Sequence, residues 1–179
     1  MTIRSTTILG VRLGKKAAMG GDGQITLGDM QLKQKAVKVR KFETTPNEIL
    51  GGFAGAAADA LTLFGKFEEK LEQYNGQLQR AVVELAKEWR TDKYLRNLDA
   101  LLALMDRDQS YLVSGDGNVV EPDGTIVAVG SGAGYALAAA QALISCDVSS
   151  PTEIVKRALK ITADICIYTN DQITLLELK

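Results

Sequence analysis

The chain has 179 residues, enough for one well-buried domain, and we expect a single one. Hydrophobic residues make up 46% of the sequence and charged residues 24%, and the net charge is -1, so no positive patch favours binding to nucleic acid or to an anionic membrane. The absence of histidine excludes catalysis by Ser-His or Cys-His pairs and metal sites that need imidazole. No apolar run reaches the roughly 18 residues of a membrane span, and residues 1–5 cannot hold the apolar segment of a signal peptide.

Four strands are predicted before any helix. β-branched and alternating residues predict a strand over 6–13, and residues 17–19 return after a turn to complete a hairpin. A second pair is predicted over 36–42 and 48–53, on either side of a turn that contains Pro46.

Helical spacing replaces the strand pattern from residue 54 onward. It predicts two amphipathic helices separated at Gly76, with the second extended over 95–104. Five further elements are predicted: strands over 110–114 and 125–129, helices over 136–144 and 151–167, and a strand over 173–178. The helix over 151–167 opens with the capping box Ser150-Pro151-Thr152-Glu153. Because strands and helices do not alternate, the pattern favours an α+β fold with two packed antiparallel sheets, each backed by a helix pair.

The two cysteines, Cys146 and Cys166, lie in apolar stretches without C-x-x-C spacing. Isolated cysteines of this kind are more often buried free thiols than parts of a disulfide or a zinc site. They indicate a reducing compartment, and we expect a cytoplasmic protein.

Three residues that could form a catalytic group recur at equal spacing. Sixteen positions separate Thr6 from Asp22, and sixteen more separate Asp22 from Lys38. A threonine at a chain terminus carries a hydroxyl nucleophile and an α-amine with a pKa of about 7.7–8, which can accept the hydroxyl proton. A lysine held by a carboxylate would favour the deprotonated hydroxyl and amine. On pattern alone, however, these residues also fit a strand threonine, a turn aspartate and a solvated strand lysine.

Glycine-rich segments do not indicate a nucleotide site. The stretch that begins at Gly130 has Tyr135 where the dinucleotide pattern G-x-G-x-x-G needs glycine, and the sequence lacks the P-loop pattern G-x-x-x-x-G-K-[ST]. The chain is therefore not expected to bind a nucleotide. Within this stretch Ser131 could cap the following helix, and Gly52, in an earlier glycine pair, could serve close packing.

Several blocks of the sequence occur together in one known family. They are Thr6-Thr7-Ile8, Gly21-Asp22-Gly23-Gln24, Lys38-Val39-Arg40, Gly52-Phe53-Ala54-Gly55, Glu84-Leu85-Ala86-Lys87, Trp89-Arg90-Thr91-Asp92, Gly130-Ser131-Gly132 and Asp164-Ile165-Cys166-Ile167-Tyr168-Thr169-Asn170. From Thr6 to its end the chain resembles the HslV (ClpQ) family, the proteasome-like peptidases of a bacterial ATP-dependent protease. The resemblance implies a four-layer αββα N-terminal-nucleophile hydrolase, built as a homo-oligomer of two stacked hexamers. It also implies that a ring-shaped AAA+ ATPase, HslU (ClpY), delivers unfolded protein substrates.

The resemblance also implies a role for each site residue. Thr6 would be the nucleophile, Asp22 would pair with Lys38, and the backbone N–H of Gly52 would hold the oxyanion. Ser131 would hydrogen-bond near the nucleophile. The backbone carbonyls of Ala163, Cys166 and Thr169 would bind a monovalent cation such as Na⁺.

The chain departs from the family pattern in two places. Residues 2–5 stand between Met1 and the paired threonines, and there are two extra residues between Lys38 and Gly52. Because Thr6 has no free amine in the sequence as written, we expect residues 1–5 to be a propeptide or N-terminal extension that is removed, and 6–179 to be the single peptidase domain. Methionine removal would instead expose Thr2, a rival terminal threonine. Two alternatives stay open, namely a ring subunit that never matures and a stand-alone amidase of the same fold.

Overall fold

The structure is a computed structural model that describes residues 6–44, 47–95, 100–114 and 116–178, without the side chains of residues 57 and 58. These parts of the chain form eleven strands and four helices. In chain order they are β1 (Thr7–Leu13), β2 (Lys16–Gly21), β3 (Ile25–Leu27), β4 (Met30–Lys33), β5 (Val39–Glu43), β6 (Glu48–Gly55), α1 (Ala57–Gln73), α2 (Leu78–Thr91), β7 (Ala100–Met105), β8 (Ser110–Ser114), β9 (Val119–Val120), β10 (Ile126–Gly130), α3 (Ala133–Ser145), α4 (Pro151–Ile165) and β11 (Thr174–Leu178).

Two antiparallel sheets carry the fold. The first has the strand order β10-β1-β2-β11, and the second has the order β5-β6-β7-β8-β9. The short strands β3 and β4 form a separate hairpin. In the first sheet β1 is central, because β10 and β2 pair with it on either side.

The strands alternate between two cores, which stacks the sheets and helices in four layers. On β1, Ile8 faces a core between the two sheets and Leu9 faces a core beneath α3 and α4. A third core packs α1 and α2 against the outer face of the second sheet, around Phe67, Trp89 and Leu102. The order is helices, sheet, sheet, helices, so the predicted four-layer αββα fold is confirmed.

Most helix boundaries agree with the sequence pattern. Ser150 caps α4, since its side chain accepts a hydrogen bond from Glu153 N–H at 3.3 Å and Pro151 occupies the first turn. Between α1 and α2 the chain turns at Asn75 and Gly76, which have φ angles of 52° and 72°. Among the described residues, no helix is long and apolar enough to cross a membrane.

The structure differs from the sequence analysis in three respects. The helix predicted over 95–104 is wrong, because Ala100–Met105 form β7 in the middle of the second sheet; residues 96–99 lie outside the described residues. The hairpin of β3 and β4 and the short β9 were not predicted. Both cysteines are free, as expected, but only Cys166 is buried, whereas Cys146 lies exposed at the end of α3.

Candidate active site

The site is built at the ends of four strands that meet at one edge of the sandwich. Thr6 precedes β1, Asp22 follows β2, Lys38 precedes β5 and Ser131 follows β10. The register of the first sheet brings three of these ends together, because Thr7 lies opposite Gly130 and Ile8 lies opposite Gly21. The carbonyl oxygen of Thr6 accepts a hydrogen bond from Ser131 N–H at 2.9 Å.

Asp22 is a fully buried carboxylate with a donor on each side. Its Oδ1 accepts hydrogen bonds from Thr7 N–H at 2.7 Å and from Lys38 Nζ at 3.0 Å. Its Oδ2 accepts from Gln24 N–H at 2.9 Å and from Asn170 N–H at 3.4 Å. Because the bond to Thr7 N–H fixes the backbone directly after Thr6, Asp22 connects the lysine to the start of β1.

Lys38 is 2% exposed and forms a buried ion pair with Asp22, which is 0% exposed. Nζ donates a second hydrogen bond, to Gln24 O at 2.5 Å. Burial lowers the pKa of Lys38, and the charge of Asp22 with its hydrogen bond opposes that shift. The burial and pairing of both side chains therefore exclude the interpretation of Lys38 as a solvated strand residue and that of Asp22 as a simple turn residue. Since apolar residues often replace a buried ion pair without loss of stability, this pair points to a function.

Thr7 fixes the start of β1 from the opposite side. Its Oγ1 lies 2.7 Å from Thr169 Oγ1 and accepts a hydrogen bond from Gly132 N–H at 3.1 Å. Thr7 is fully buried, and so is Thr6. Sequence reasoning did not single out Thr7 or the hydrogen-bonded pair it makes with Thr169, because a threonine in a strand carries no signal of a partner 162 positions away.

Ser131 contributes through its backbone. Its side chain is exposed, while its N–H holds the Thr6 carbonyl, so the structure brings it next to the predicted nucleophile. Its alternative role as a helix cap is wrong, because the N-cap of α3 is Gly132 and no side chain makes a cap hydrogen bond there.

Gly52 lies away from this edge. A Cβ at Gly52 would stand 2.5 Å from Ile8 Cγ2, inside the core between the sheets. Ala54, which follows it by two positions, is the residue that reaches Gly130, since a Cβ at Gly130 would stand 3.3 Å from Ala54 Cβ and 1.9 Å from Thr6 O. Two strand residues span roughly 6–7 Å, so Gly52 lies that far along β6 from Ala54, the residue that approaches the start of β1.

The direction of backbone N–H groups along β6 also separates Gly52 from the site. Phe53 N–H donates to Lys38 O at 3.1 Å, towards β5. Successive N–H groups of a strand point to opposite neighbours, so Gly52 N–H points towards β7, where its register partner is Ala103. Gly55 N–H points to the β5 side, past the first residue of that strand. In this register Gly52 N–H lies inside the sheet, whereas Gly55 N–H lies beyond the end of the β5 ladder.

The residues predicted to hold a cation lie together at the end of α4. Ala163, Cys166 and Thr169 line one cavity of about 530 Å³, together with Gln24 and Asn170. The last turn of a helix leaves carbonyl oxygens without intrahelical donors, and such oxygens are hard ligands suited to Na⁺. Cys166 O also accepts a hydrogen bond from Thr169 N–H at 3.0 Å. The donor set fits a monovalent cation held by backbone oxygens.

The structure combines a four-layer αββα fold with a buried lysine-carboxylate pair beside a strand that starts with threonine. This combination is typical of the N-terminal-nucleophile hydrolases. The family model for the proteasome subunit matches residues 3–178, and the chain belongs to that family. Within it the chain is an HslV-like N-terminal-nucleophile peptidase. It is similar to the eukaryotic HslV from Trypanosoma brucei, whose crystal structure superposes with a TM-score of 0.89 at 41% sequence identity, over 97% of this chain and 99% of that one.

Proposed function

We propose that this chain is the threonine endopeptidase subunit of an ATP-dependent protease, with Thr6 as its nucleophile once residues 1–5 are removed. The observation that carries the proposal is the buried Asp22–Lys38 pair, whose carboxylate also accepts a hydrogen bond from the N–H directly after Thr6. This arrangement places a cation beside the start of β1 in a site from which water is largely excluded. Electrostatic effects on a nearby hydroxyl are strong there.

The proposed reaction has two stages. Thr6 Oγ1 attacks a peptide carbonyl while its proton passes to the Thr6 α-amine, and Lys38 favours the deprotonated hydroxyl. The tetrahedral oxyanion then collapses, the peptide C–N bond breaks, and the leaving amine takes the proton. Water attacks the resulting ester and gives a proton to the Thr6 α-amine. The second tetrahedral intermediate then collapses, the C–Oγ1 bond breaks, and Oγ1 takes the proton back from the α-amine, which releases the carboxylic acid and regenerates Thr6.

We assign the oxyanion donor to Gly55 N–H instead of Gly52 N–H. Gly55 is half-buried at the open end of β6, adjacent to Ala54, which approaches the start of β1. Its φ angle of 123° is one that glycine adopts at little cost, so the residue type suits the position. One such donor is worth about 10²–10³ in rate.

The backbone of Thr6 supports removal of residues 1–5. Its φ angle is 143°, in a region that disfavours a β-branched residue and costs about 1–3 kcal/mol. The φ angle exists only while Ser5 is attached. Cleavage before Thr6 therefore removes this cost and creates the free amine that the chemistry needs.

The family membership also supports an assembly. We propose a homo-oligomer of two stacked hexamers that receives unfolded proteins from an HslU (ClpY) AAA+ ATPase, with a Na⁺-type cation on the carbonyls of Ala163, Cys166 and Thr169. Large apolar side chains are exposed on α3 and α4, among them Tyr135, Leu137, Ile161 and Ile165, as expected of a surface that another subunit covers. The cation would order the loop after α4, and it takes no part in bond making.

A single set of measurements tests the proposal against its two alternatives. Peptide hydrolysis is measured for the wild type and for Thr6→Ala, each with and without the ATPase ring, together with the intact mass of the active protein. Loss of activity in Thr6→Ala and a mass that begins at Thr6 support the proposal. An inactive wild type that retains residues 2–5 favours a structural ring subunit, and full activity without any ATPase favours a stand-alone amidase.

A further inference from the structure

The loop between α4 and β11, residues 166–173, makes hydrogen bonds to Asp22 and to residues beside the proposed catalytic group. Thr169 Oγ1 bonds to Thr7 Oγ1 at 2.7 Å, and Asn170 N–H donates to Asp22 Oδ2 at 3.4 Å. Ile167 O accepts a hydrogen bond from Gln24 Nε2 at 2.8 Å. Thr7 and Asp22 belong to the site already described, whereas the side chain of Gln24 has no part in the mechanism.

Gln24 is 1% exposed and lies between β2 and β3, outside either strand. Its backbone is part of the ion-pair environment, because its N–H donates to Asp22 Oδ2 and its carbonyl accepts from Lys38 Nζ. Its side-chain amide donates to Ile167 O and to Thr26 Oγ1, the latter at 2.9 Å. The Gln24 side chain thus anchors the segment between β2 and β3, which is not paired in a sheet, to the α4–β11 loop and to Thr26.

We propose that Gln24 is a positioning residue for Lys38: its side-chain amide, anchored on Ile167 O and Thr26 Oγ1, holds the Gln24 carbonyl against the lysine ammonium. The proposal rests on the function proposed for Thr6, Asp22 and Lys38. The α4–β11 loop then acts on Lys38 through Gln24, in addition to its contacts with Asp22 and Thr7.

Loss of the amide has a defined consequence for the lysine. The Gln24 carbonyl would no longer be held against Nζ, and the charged form of Lys38 would lose one of its two acceptors. Fewer hydrogen bonds to the charged form lower the pKa of a lysine. Among the described residues, the groups that bond to Lys38 Nζ are the Asp22 carboxylate and the Gln24 carbonyl, and the proposed mechanism adds the Thr6 amine in the processed chain. Because activity needs the protonated lysine, the basic limb of the pH profile should move to lower pH.

The test compares Gln24→Met, which keeps the side-chain length and removes the donors, with Ser110→Ala. Ser110 is a matched control, since it is 1% exposed and accepts a partly buried hydrogen bond from Arg12 Nε at 3.0 Å, in β8, away from Lys38. For Gln24→Met we expect kcat to fall about 10–100-fold, as a displaced catalytic group does, with KM unchanged and the basic limb at lower pH. Ser110→Ala should lose stability without either kinetic change. All rates are referred to active sites counted by a covalent inhibitor of the nucleophile.

Two results would overturn the proposal. One is a Gln24→Met enzyme with the wild-type kcat and pH profile, and the other is a fall in rate fully accounted for by fewer active sites, since that is a folding effect alone. If Gln24→Met does not fold, Thr26→Val removes one anchor of the amide, and it should shift the basic limb in the same direction. If Thr6→Ala stays active, the proposed function itself fails. If Thr6→Ala is inactive and Gln24→Met behaves as wild type, only the role of Gln24 fails.

Discussion

Asp22→Asn is the substitution whose effect on stability can be worked most directly from the structure. The carboxylate accepts hydrogen bonds on both oxygens, and it is the counter-charge of Lys38 in a site where both side chains are at most 2% exposed. Asparagine keeps the size but carries no charge and only one acceptor oxygen. Lys38 is then left as an unpaired buried cation unless it gives up its proton. Removal of one partner of a buried ion pair costs about 3–5 kcal/mol.

Deprotonation of Lys38 limits this cost and makes it depend on pH. The pKa of a lysine in the unfolded chain is about 10.4. Removing the proton from Lys38 in the folded variant therefore costs about 4 kcal/mol at pH 7.5 and about 2 kcal/mol at pH 9. In the variant the folded state binds fewer protons than the unfolded state, so its stability rises with pH. We therefore expect the part of the stability loss in Asp22→Asn that comes from Lys38 to be at most about 4 kcal/mol at pH 7.5, and the total loss to be clearly smaller at pH 9 than at pH 7.5.

Urea unfolding at a fixed protomer concentration measures both values, since unfolding of an oligomer depends on concentration. Asp108→Asn is the control, because it removes a carboxylate from an exposed ion pair with Lys15 and should change stability little at either pH. A loss that is the same at pH 7.5 and pH 9 for Asp22→Asn would show that Lys38 stays charged in the variant, and the reasoning would be refuted.

Three predictions concern the chemistry. Thr6→Ala should abolish peptide hydrolysis without loss of assembly, and Thr6→Ser should keep measurable activity; inactivation by Thr2→Ala in place of Thr6→Ala would show that the wrong terminus was chosen. Mass spectrometry of fully active protein should show a chain that starts at Thr6, and a mass that retains residues 2–5 would contradict this. Lys38→Ala combined with Asp22→Asn should have a kcat/KM little below that of the poorer single variant, because groups that act as a unit are non-additive; effects that simply multiply would show that the two residues act independently.

Much of the fold follows from local patterns in the sequence. The hairpin of β1 and β2, the break at Gly76 and the capped start of α4 each depend on residues close together in the chain. Local patterns did not predict β7, because Leu101 to Met105 is a short, nearly continuous apolar run. Such a run fits a buried helix segment and a buried strand equally well, and the pairing of β7 with both β6 and β8 decides the outcome. The hairpin of β3 and β4 does carry a signal, the Gly28-Asp29 turn between two strand-like segments.

The site was predictable in part. Spacing and family resemblance indicated Thr6, Asp22 and Lys38, and the ion pair of Asp22 with Lys38 is present as expected. The contact of Thr7 with Thr169 and that of Gln24 with Ile167 each join residues more than 140 positions apart, which no local pattern reports. Gly52 and Gly55 belong to the same quoted block, and only the strand register shows which N–H leaves the ladder.

The position of Gly52 leads to a prediction about packing. A Cβ there would stand 2.5 Å from Ile8 Cγ2 and 3.1 Å from Met19 Sδ, so Gly52→Ala overpacks the core between the sheets. Overpacking of this kind costs about 1–3 kcal/mol. Ile8→Ala removes the methyl in the way and by itself leaves a cavity that costs about 2–5 kcal/mol.

The double variant should be more stable than the sum of the two single losses implies, by about 0.5–3 kcal/mol. The reason is that the added Cβ of Gly52→Ala fills part of the cavity left by Ile8→Ala. Unfolding of the four proteins in urea measures this coupling, and kcat per active site is measured alongside it. If Gly52 N–H were the oxyanion donor, we would expect a different result. Widening the core at Ile8 would not bring a displaced Gly52 N–H back within reach of the substrate. Additive stability losses, with a kcat per site that falls in Gly52→Ala and stays low in the double variant, would return the oxyanion role to Gly52.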